Sequence, residues 1–515
     1  MNASATSFPV SDKKASHYLH WFRRDLRTHD NTALAHAVSQ ARESQGKVSA
    51  VFILTPQQWL EHDMSLVQVD FILRTLAVLQ RDLARQFGIK MHILDSSDFV
   101  DGVNTLSDFC QSHDITEVTA NIEYEVNEVA RDELATATLH ELGITFERHH
   151  DQCILPPDSV TTNDGNMYQV FTPFYKKWQS LLETSPPKLH PLTLLKQKVD
   201  ADWLTDAQDR LDELSQQVIK DYAIKQNCQT DEALSYCRAN YRAGETEAKH
   251  RLDQFIADDI KQYDIARDCP ADDATSRLSA YLTIGAISSR YCYLQATRAL
   301  QASPDNGKDI SRWISELAWR DFYRHVIANR PDIIKGNAYK TDTDKRVNWA
   351  YDEADFKRWC EGKTGVPLVD AAMRYLKETG FMHNRLRMVT AMFLTKDLLI
   401  DWRWGERYFM QTLIDGDFAS NNGGGQWSAS VGTDSAPYFR IMNPFSQAKS
   451  HDKNAFFIKT CLPELKSIPS SVLHDEAKLR YALSETGKFA HVDYPLPMVD
   501  HKQARQLAIA EFKAE

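Results

Sequence analysis

Four stretches carry residues that could do chemistry together. Trp313, Glu316 and Arg320 recur at i, i+3 and i+7, so one helix face offers an indole, an acid and a guanidinium, with Trp319 beside the stripe. A solvated face rarely carries two tryptophans, whereas the wall of an aromatic ligand cavity does; a core-packing pair with a satisfied ion pair is the structural alternative. Asn384, Arg387 and Met388 fall at i, i+3 and i+4 of a second helix, whose apolar stripe is Leu386, Val389 and Phe393. Met388 reads first as packing, although a soft thioether also suits a flat ligand. Thr275-Ser276-Arg277-Leu278-Ser279 opens an apolar helix; on its own this is a plain N-cap, and it is also where free N–H groups and hydroxyls would receive a phosphate. The fourth stretch, DGDFASNNGGGQWSASVGTDSAPYFRIMNP from Asp415 to Pro444, mixes acids, amides, glycines and aromatics without apolar periodicity, and it reads as a loop that wraps a ligand.

The elements that must hold these groups follow from periodicity. Between residues 17 and 153, short β-rich runs (HYLHWF, KVSAVFIL, KMHILDS, EVTANIEY) alternate with helical stretches such as Leu66 to Phe87 and Glu125 to Leu142, which predicts a doubly wound α/β domain with a mostly parallel sheet. No G-x-G-x-x-G follows a strand, which disfavours a nicotinamide dehydrogenase. Residues 154–209 lose periodicity and gain Pro156-Pro157, Pro186-Pro187 and Pro191, as an interdomain connector would. Residues 210–515 read as a larger all-helical domain.

At 515 residues the chain exceeds what one hydrophobic core supports, so two domains are expected. The net charge of -11 excludes a globally basic nucleic-acid binder but leaves room for a local patch. Eight cysteines with no C-x-x-C fit a reduced cytoplasmic protein, with no metal motif. No apolar run is long enough for a membrane helix, and residues 1–16 lack a signal-peptide core.

Quoted as they stand, HWFRRDLRTHDN (20–31), TSRLSAYLTIGAIS (275–288), WISELAWRDFYRH (313–325), MHNRLRMVTAMFL (382–394) and the Asp415–Pro444 segment resemble the photolyase/cryptochrome family, in the family's order and over nearly the whole chain from His17. The match is to the bacterial folate-type group, whose members repair cyclobutane pyrimidine dimers with non-covalent FAD. The resemblance implies that Tyr263, Thr275, Ser276, Arg277, Leu278, Ser279, Trp313, Glu316, Arg320, Asn384, Arg387, Asp415, Asp417 and Asn421 surround the flavin. It assigns Glu316, Asn421, Asn384 and Met388 to catalysis, and Arg267, Trp319, Arg385, Met388 and Trp427 to the DNA and its flipped-out dimer. His62, Asn127, Glu128 and Lys335 match the antenna positions, with methenyltetrahydrofolate favoured over a deazaflavin.

Seven of the eleven tryptophans lie after residue 300; Trp349 and Trp402 match the outer members of the family's electron-carrying chain, but its flavin-proximal member falls on Gly425. Trp404 or Tyr408 could route around that gap. The resemblance also implies a cytoplasmic monomer whose partner is DNA containing pyrimidine dimers. Its alternatives are a cryptochrome-type signalling photoreceptor and a (6-4) photoproduct photolyase. Asn421 resembles photolyases, and Asn384 with Met388 stand where the (6-4) enzymes carry paired histidines.

Overall fold

Residues 16–226 and 231–513 are described in a computed structural model. Five parallel strands, β1 (His17–Phe22), β2 (Lys47–Leu54), β3 (Lys90–Asp95), β4 (Glu117–Asn121) and β5 (Thr145–His149), lie in the order β3-β2-β1-β4-β5. Winding therefore reverses at β1, the arrangement of a doubly wound domain. Every side chain of β1 is buried, as a central strand covered by helices on both faces requires. β5 was absent from the sequence-derived strands: TFERH pairs only with β4 and is mostly half-exposed.

The rest of the described chain is helical. Two sequence expectations are corrected. The connector is not irregular throughout, because Phe171–Thr184 is a helix burying Phe171, Phe174, Trp178 and Leu182, and a long helix begins at Ala201. The glycine run is not a loop either; Phe418–Ala429 is an α-helix whose N-cap, Asp417, accepts from Ser420 N–H. Gly423 carries no side chain for a packing reason: a Cβ there would lie 2.2 Å from the Tyr323 ring.

Among the described residues no helix is long and apolar enough to cross a membrane, and Cys110, Cys153, Cys237, Cys269, Cys292 and Cys461 are in no disulfide; Cys228 lies outside the described residues.

The two domains meet at the strand ends where the winding reverses. Asp151, just past β5, accepts from Arg27 and from Arg290 of the helical domain, the latter at 2.7 Å, and from Thr32 Oγ1 at 2.8 Å. Asp30 accepts from Ser288 Oγ and Arg290 Nε. Gly285, with φ 71°, lets the helical domain approach so closely that a Cβ would sit 2.1 Å from the Arg24 carbonyl oxygen. Burial alone would raise the Asp151 carboxyl, but the Arg27 and Arg290 guanidiniums hold it well below the usual range. Its stabilisation is therefore present above the unfolded carboxylate pKa of ~3.9 and lost as pH falls through the folded value. Asp151→Ala removes the carboxylate paired with buried Arg27 and one of the two paired with buried Arg290, and is expected to cost about 3–5 kcal/mol in urea unfolding at neutral pH. A loss under about 1 kcal/mol would show that the clamp does not hold the domains.

Candidate flavin and lesion site

The Gly307–Asn329 helix supplies one wall. Trp313 is buried, its ring 5.4 Å from Phe255, and Tyr263 packs edge-on against the same phenyl ring. Glu316 pairs with Arg267, whose guanidinium lies 5.5 Å over the Tyr263 ring. Arg267 Nε is also 3.9 Å from Asp268, and Asp268 takes Arg385 Nη2 at 2.8 Å. An ionic chain of Glu316, Arg267, Asp268 and Arg385 thus joins this helix to the Asn384–Met392 helix. Trp319 stacks on Phe171 at 3.7 Å and 7°, and the Phe171 N–H donates to Asp434 at 3.1 Å, so the connector helix and the GTD turn fix the face of that indole.

Arg320 points to the Gln152 and Leu282 carbonyls; burial, then Arg324, pushes its guanidinium down to about 10. Among the described residues it donates to no other sequence-derived site residue. The cation that does so is Arg324, one turn on, donating to Asp417 at 2.6 Å. Burial would raise the Asp417 carboxyl, yet Arg324 and Arg320 hold it far below the ordinary range. Arg387 Nη2 donates to both Asp415 oxygens, at 2.9 and 2.8 Å, so one guanidinium nitrogen bridges the carboxylate. Asn384 is exposed, its amide 3.9 Å from Met388 sulfur, and Met388 is half-buried.

Along the Phe418–Ala429 helix, Asn421 Nδ2 donates to the Glu406 carbonyl at 2.9 Å, leaving Oδ1 as its unengaged acceptor. Asn422 donates to the Glu406 carboxylate at 3.1 Å and accepts from Gln426 at 3.0 Å. Burial pushes the Glu406 carboxyl up to about 7 against that hydrogen bond. A Cβ on Gly424 would meet nothing within 4 Å, so this helix is open where a flat ring could approach its backbone. Trp427 is half-buried. Leu278 is buried ahead of the short Ser279–Thr283 helix, Arg277 holds Asp273 at 2.7 Å, and the Thr275 and Ser276 hydroxyls make no hydrogen bond to any described residue. Cation and acid pairs, free hydroxyls and an open glycine face together fit a flavin dinucleotide.

Trp349 and Trp402 both donate their indole N–H to Asp344 Oδ1 at 3.1 Å. A Cβ on Gly425 would lie 3.9 Å from Trp402 Cε3 and 4.0 Å from Glu406 Cβ, so Gly425 adjoins the inner indole. Trp404 turns instead to Tyr351 and Phe356, and the Tyr408 hydroxyl donates to the Cys360 carbonyl, in a separate aromatic group.

In the α/β domain, His62 Nε2 accepts from Gln58 and Asn127 amides at 3.0 and 2.8 Å, which puts the ring proton on Nδ1, 3.6 Å from Glu128. Burial, then Arg24, pushes His62 down to about 4. Lys335 is exposed after the Pro331–Ile334 helix and is not joined to this group by any contact.

Glu406, Arg324, Asp268 and Asp344 escaped the sequence reading. Only Arg324 left a trace there, one turn after Arg320 on the same helix face.

Residues 18–192 match the DNA photolyase family, and residues 313–514 match the FAD binding domain of DNA photolyase. The chain is 40% identical over 496 residues to a deoxyribodipyrimidine photo-lyase of Vibrio cholerae, covering 96% of this chain and 98% of that one. It is 42% identical over 497 residues to the Escherichia coli protein of the same name, with the same coverage. A solved bacterial class III photolyase from Agrobacterium tumefaciens superposes with a TM-score of 0.78 at 32% identity, over 98% of this chain and 99% of that one. With its parallel α/β domain, its FAD-binding helical domain and full-length likeness to photolyases, the chain belongs to the photolyase/cryptochrome family.

Proposed function

We propose that this protein is a deoxyribodipyrimidine photolyase that splits cyclobutane pyrimidine dimers in DNA under blue light. The observation that carries the reading is the ionic chain from Glu316 through Arg267 and Asp268 to Arg385, which sets an acid suited to a dimer carbonyl beside two cations suited to phosphates. The names of the Vibrio and Escherichia relatives support it. Bound and reduced, FAD supplies the light-excited electron. Tyr263, Trp313, Arg387, Asp415, Asp417 and Asn421 hold it, and Thr275, Ser276 and Ser279 offer hydroxyls to its phosphates. Photolyases act on bases taken out of the stack. Trp319 and Trp427 wall the extruded dimer, Met388 and Asn384 lie against it, and Glu316 hydrogen-bonds its edge, accepting from an imide N–H as a carboxylate or donating to a carbonyl when protonated. Arg267 and Arg385 hold flanking phosphates, which confers affinity without base sequence.

His62, Asn127 and Glu128 are assigned to a folate-type antenna, methenyltetrahydrofolate rather than a deazaflavin, because a neutral imidazole with fixed tautomer beside a buried carboxyl suits a pterin edge. Lys335 has no supporting contact. Thiols such as Cys110, Cys153 and Cys292, in no disulfide, suit a cytoplasmic setting, and a monomer is the assigned state.

The direct test is blue-light repair of a dimer-containing oligonucleotide by purified reduced protein: dimers should vanish in light and persist in the dark, and light-independent or absent repair refutes the assignment. Three variants probe the parts. Glu316→Gln should retain FAD while the repair quantum yield falls at saturating DNA; an unchanged yield removes Glu316 from the chemistry. Arg385→Ala should weaken binding to dimers in every sequence context and reduce the salt slope by about 1. A slope equal to wild type would contradict the phosphate contact. In Gly425→Trp the new Cβ makes only ordinary contacts, 3.9 Å from Trp402 and 4.0 Å from Glu406. It should accelerate photoreduction of oxidised FAD and leave repair by chemically reduced enzyme unchanged, whereas photoreduction already as fast in the wild type would show that Gly425 breaks no relay.

A further inference from the structure

The outer edge of the sheet carries a group of side chains that flavin chemistry does not use. Glu147 and His149 alternate with Phe146 and Arg148 along β5 and so share one face, and register pairs their neighbour Thr145 with Glu117 of β4. The Thr32–Ser44 helix crosses that face and brings His36 onto it. His36 Nε2 lies 3.2 Å from one Glu147 oxygen, His149 Nε2 lies 3.4 Å from the other, and Glu117 Oε1 is 3.7 Å from His36 Nε2. Among the described residues this is the one group of three or more His, Cys, Asp or Glu whose ligand atoms all lie within 4.8 Å of one another.

We propose that His36, Glu147 and His149, with the Glu117 carboxylate adjoining His36, form a structural site for a divalent cation of zinc chemistry. Imidazole nitrogen and carboxylate oxygen are zinc ligands at about 2.0–2.2 Å, and tetrahedral geometry then separates two ligand atoms by about 3.3 Å. The His36 and His149 nitrogens lie 3.2 and 3.4 Å from the two Glu147 oxygens, close to that value, and the three ligand atoms are all within 4.8 Å of one another. An ordinary ion pair accounts for the group less well. His149 Nε2 and Glu117 Oε1 are both buried and have no hydrogen-bond partner, a cost that protein structures seldom leave standing. A dication answers both, since it takes the orphan nitrogen and screens two neighbouring carboxylates.

The site's place in the fold gives it work. β5 has no strand on its outer side, and two residues past His149 the chain reaches Asp151, the carboxylate that joins the domains. A cation held by β5 and the first helix would brace the segment that feeds this clamp, far from flavin and lesion.

Zinc chloride titrated calorimetrically into chelator-treated, FAD-loaded protein at neutral pH tests the proposal, together with the thermal unfolding midpoint with and without zinc. One zinc per chain is expected, with a higher midpoint. Glu147→Gln and His36→Gln should each weaken zinc binding at least about tenfold and abolish the midpoint shift, with FAD content and light-driven repair unchanged. Two independent variants guard against misfolding of either. Absence of stoichiometric zinc uptake by the wild type overturns the proposal, as does zinc binding by both variants at wild-type affinity, which would place the ion elsewhere, for example on a cysteine.

Discussion

The buried ion pair between Arg324 and Asp417 fixes how the site is assembled. Both side chains are almost fully excluded from water, so neither charge is tolerable without the other. Arg324 belongs to the Gly307–Asn329 helix, which carries Trp313, Glu316 and Trp319, while Asp417 is also the N-cap of the Phe418–Ala429 helix, which carries Asn421 and the glycines. One carboxylate therefore satisfies a guanidinium and a helix start together, and sets the two walls of the site in register. The same helix buries Asp321, which accepts from the backbone N–H groups of Ile154 and Leu155 and from Trp178 Nε1. The connector, often the loosest part of a two-domain protein, is in this way bonded to the centre of the helical domain.

That network carries a consequence for the two domains. Arg24, on the loop after β1, lies near Glu123 and Glu125 and reaches the field of Asp417, so charges beside the His62 group and beside Asp417 are coupled across the domain interface. Asp30 and Asp151 close the same interface with Arg27 and Arg290. Large interdomain motion would break several buried ion pairs at once, which favours a fixed distance between the His62 group and the helices bearing Trp313 and Asn421. Energy transfer between two chromophores needs such a distance.

Much of this was legible in the sequence because it depends on local pattern. Buried parallel strands read as apolar runs, and the Trp313–Glu316–Arg320 spacing places its residues on one helix face whatever the tertiary structure. β5 was missed because a half-exposed edge strand offers charged residues instead of an apolar run. The glycine helix was missed for an energetic reason. Each glycine costs about 1 kcal/mol against alanine in a helix, so Gly423 to Gly425 read as a loop; the helix stands because Asp417 caps it and Tyr323 packs where Gly423 has no Cβ. The Phe171–Thr184 helix could have been found, since Phe171, Phe174, Trp178 and Leu182 are spaced for one face, but flanking prolines obscured it. Glu406, Asp268 and Asp344 act through partners on other helices, 15 residues away for Glu406 and 58 for Asp344 with Trp402, and no local pattern announces them.

A crystal structure of the flavin-loaded protein with a dimer-bearing DNA duplex tests the central claim most directly. The account predicts the isoalloxazine ring along the open glycine face beside Asn421, the dimer extruded against Trp319, Met388 and Trp427 within reach of Glu316, and a flanking phosphate on Arg385. A dimer still stacked in the duplex, or a flavin bound away from the helices joined by Arg324 and Asp417, would contradict it.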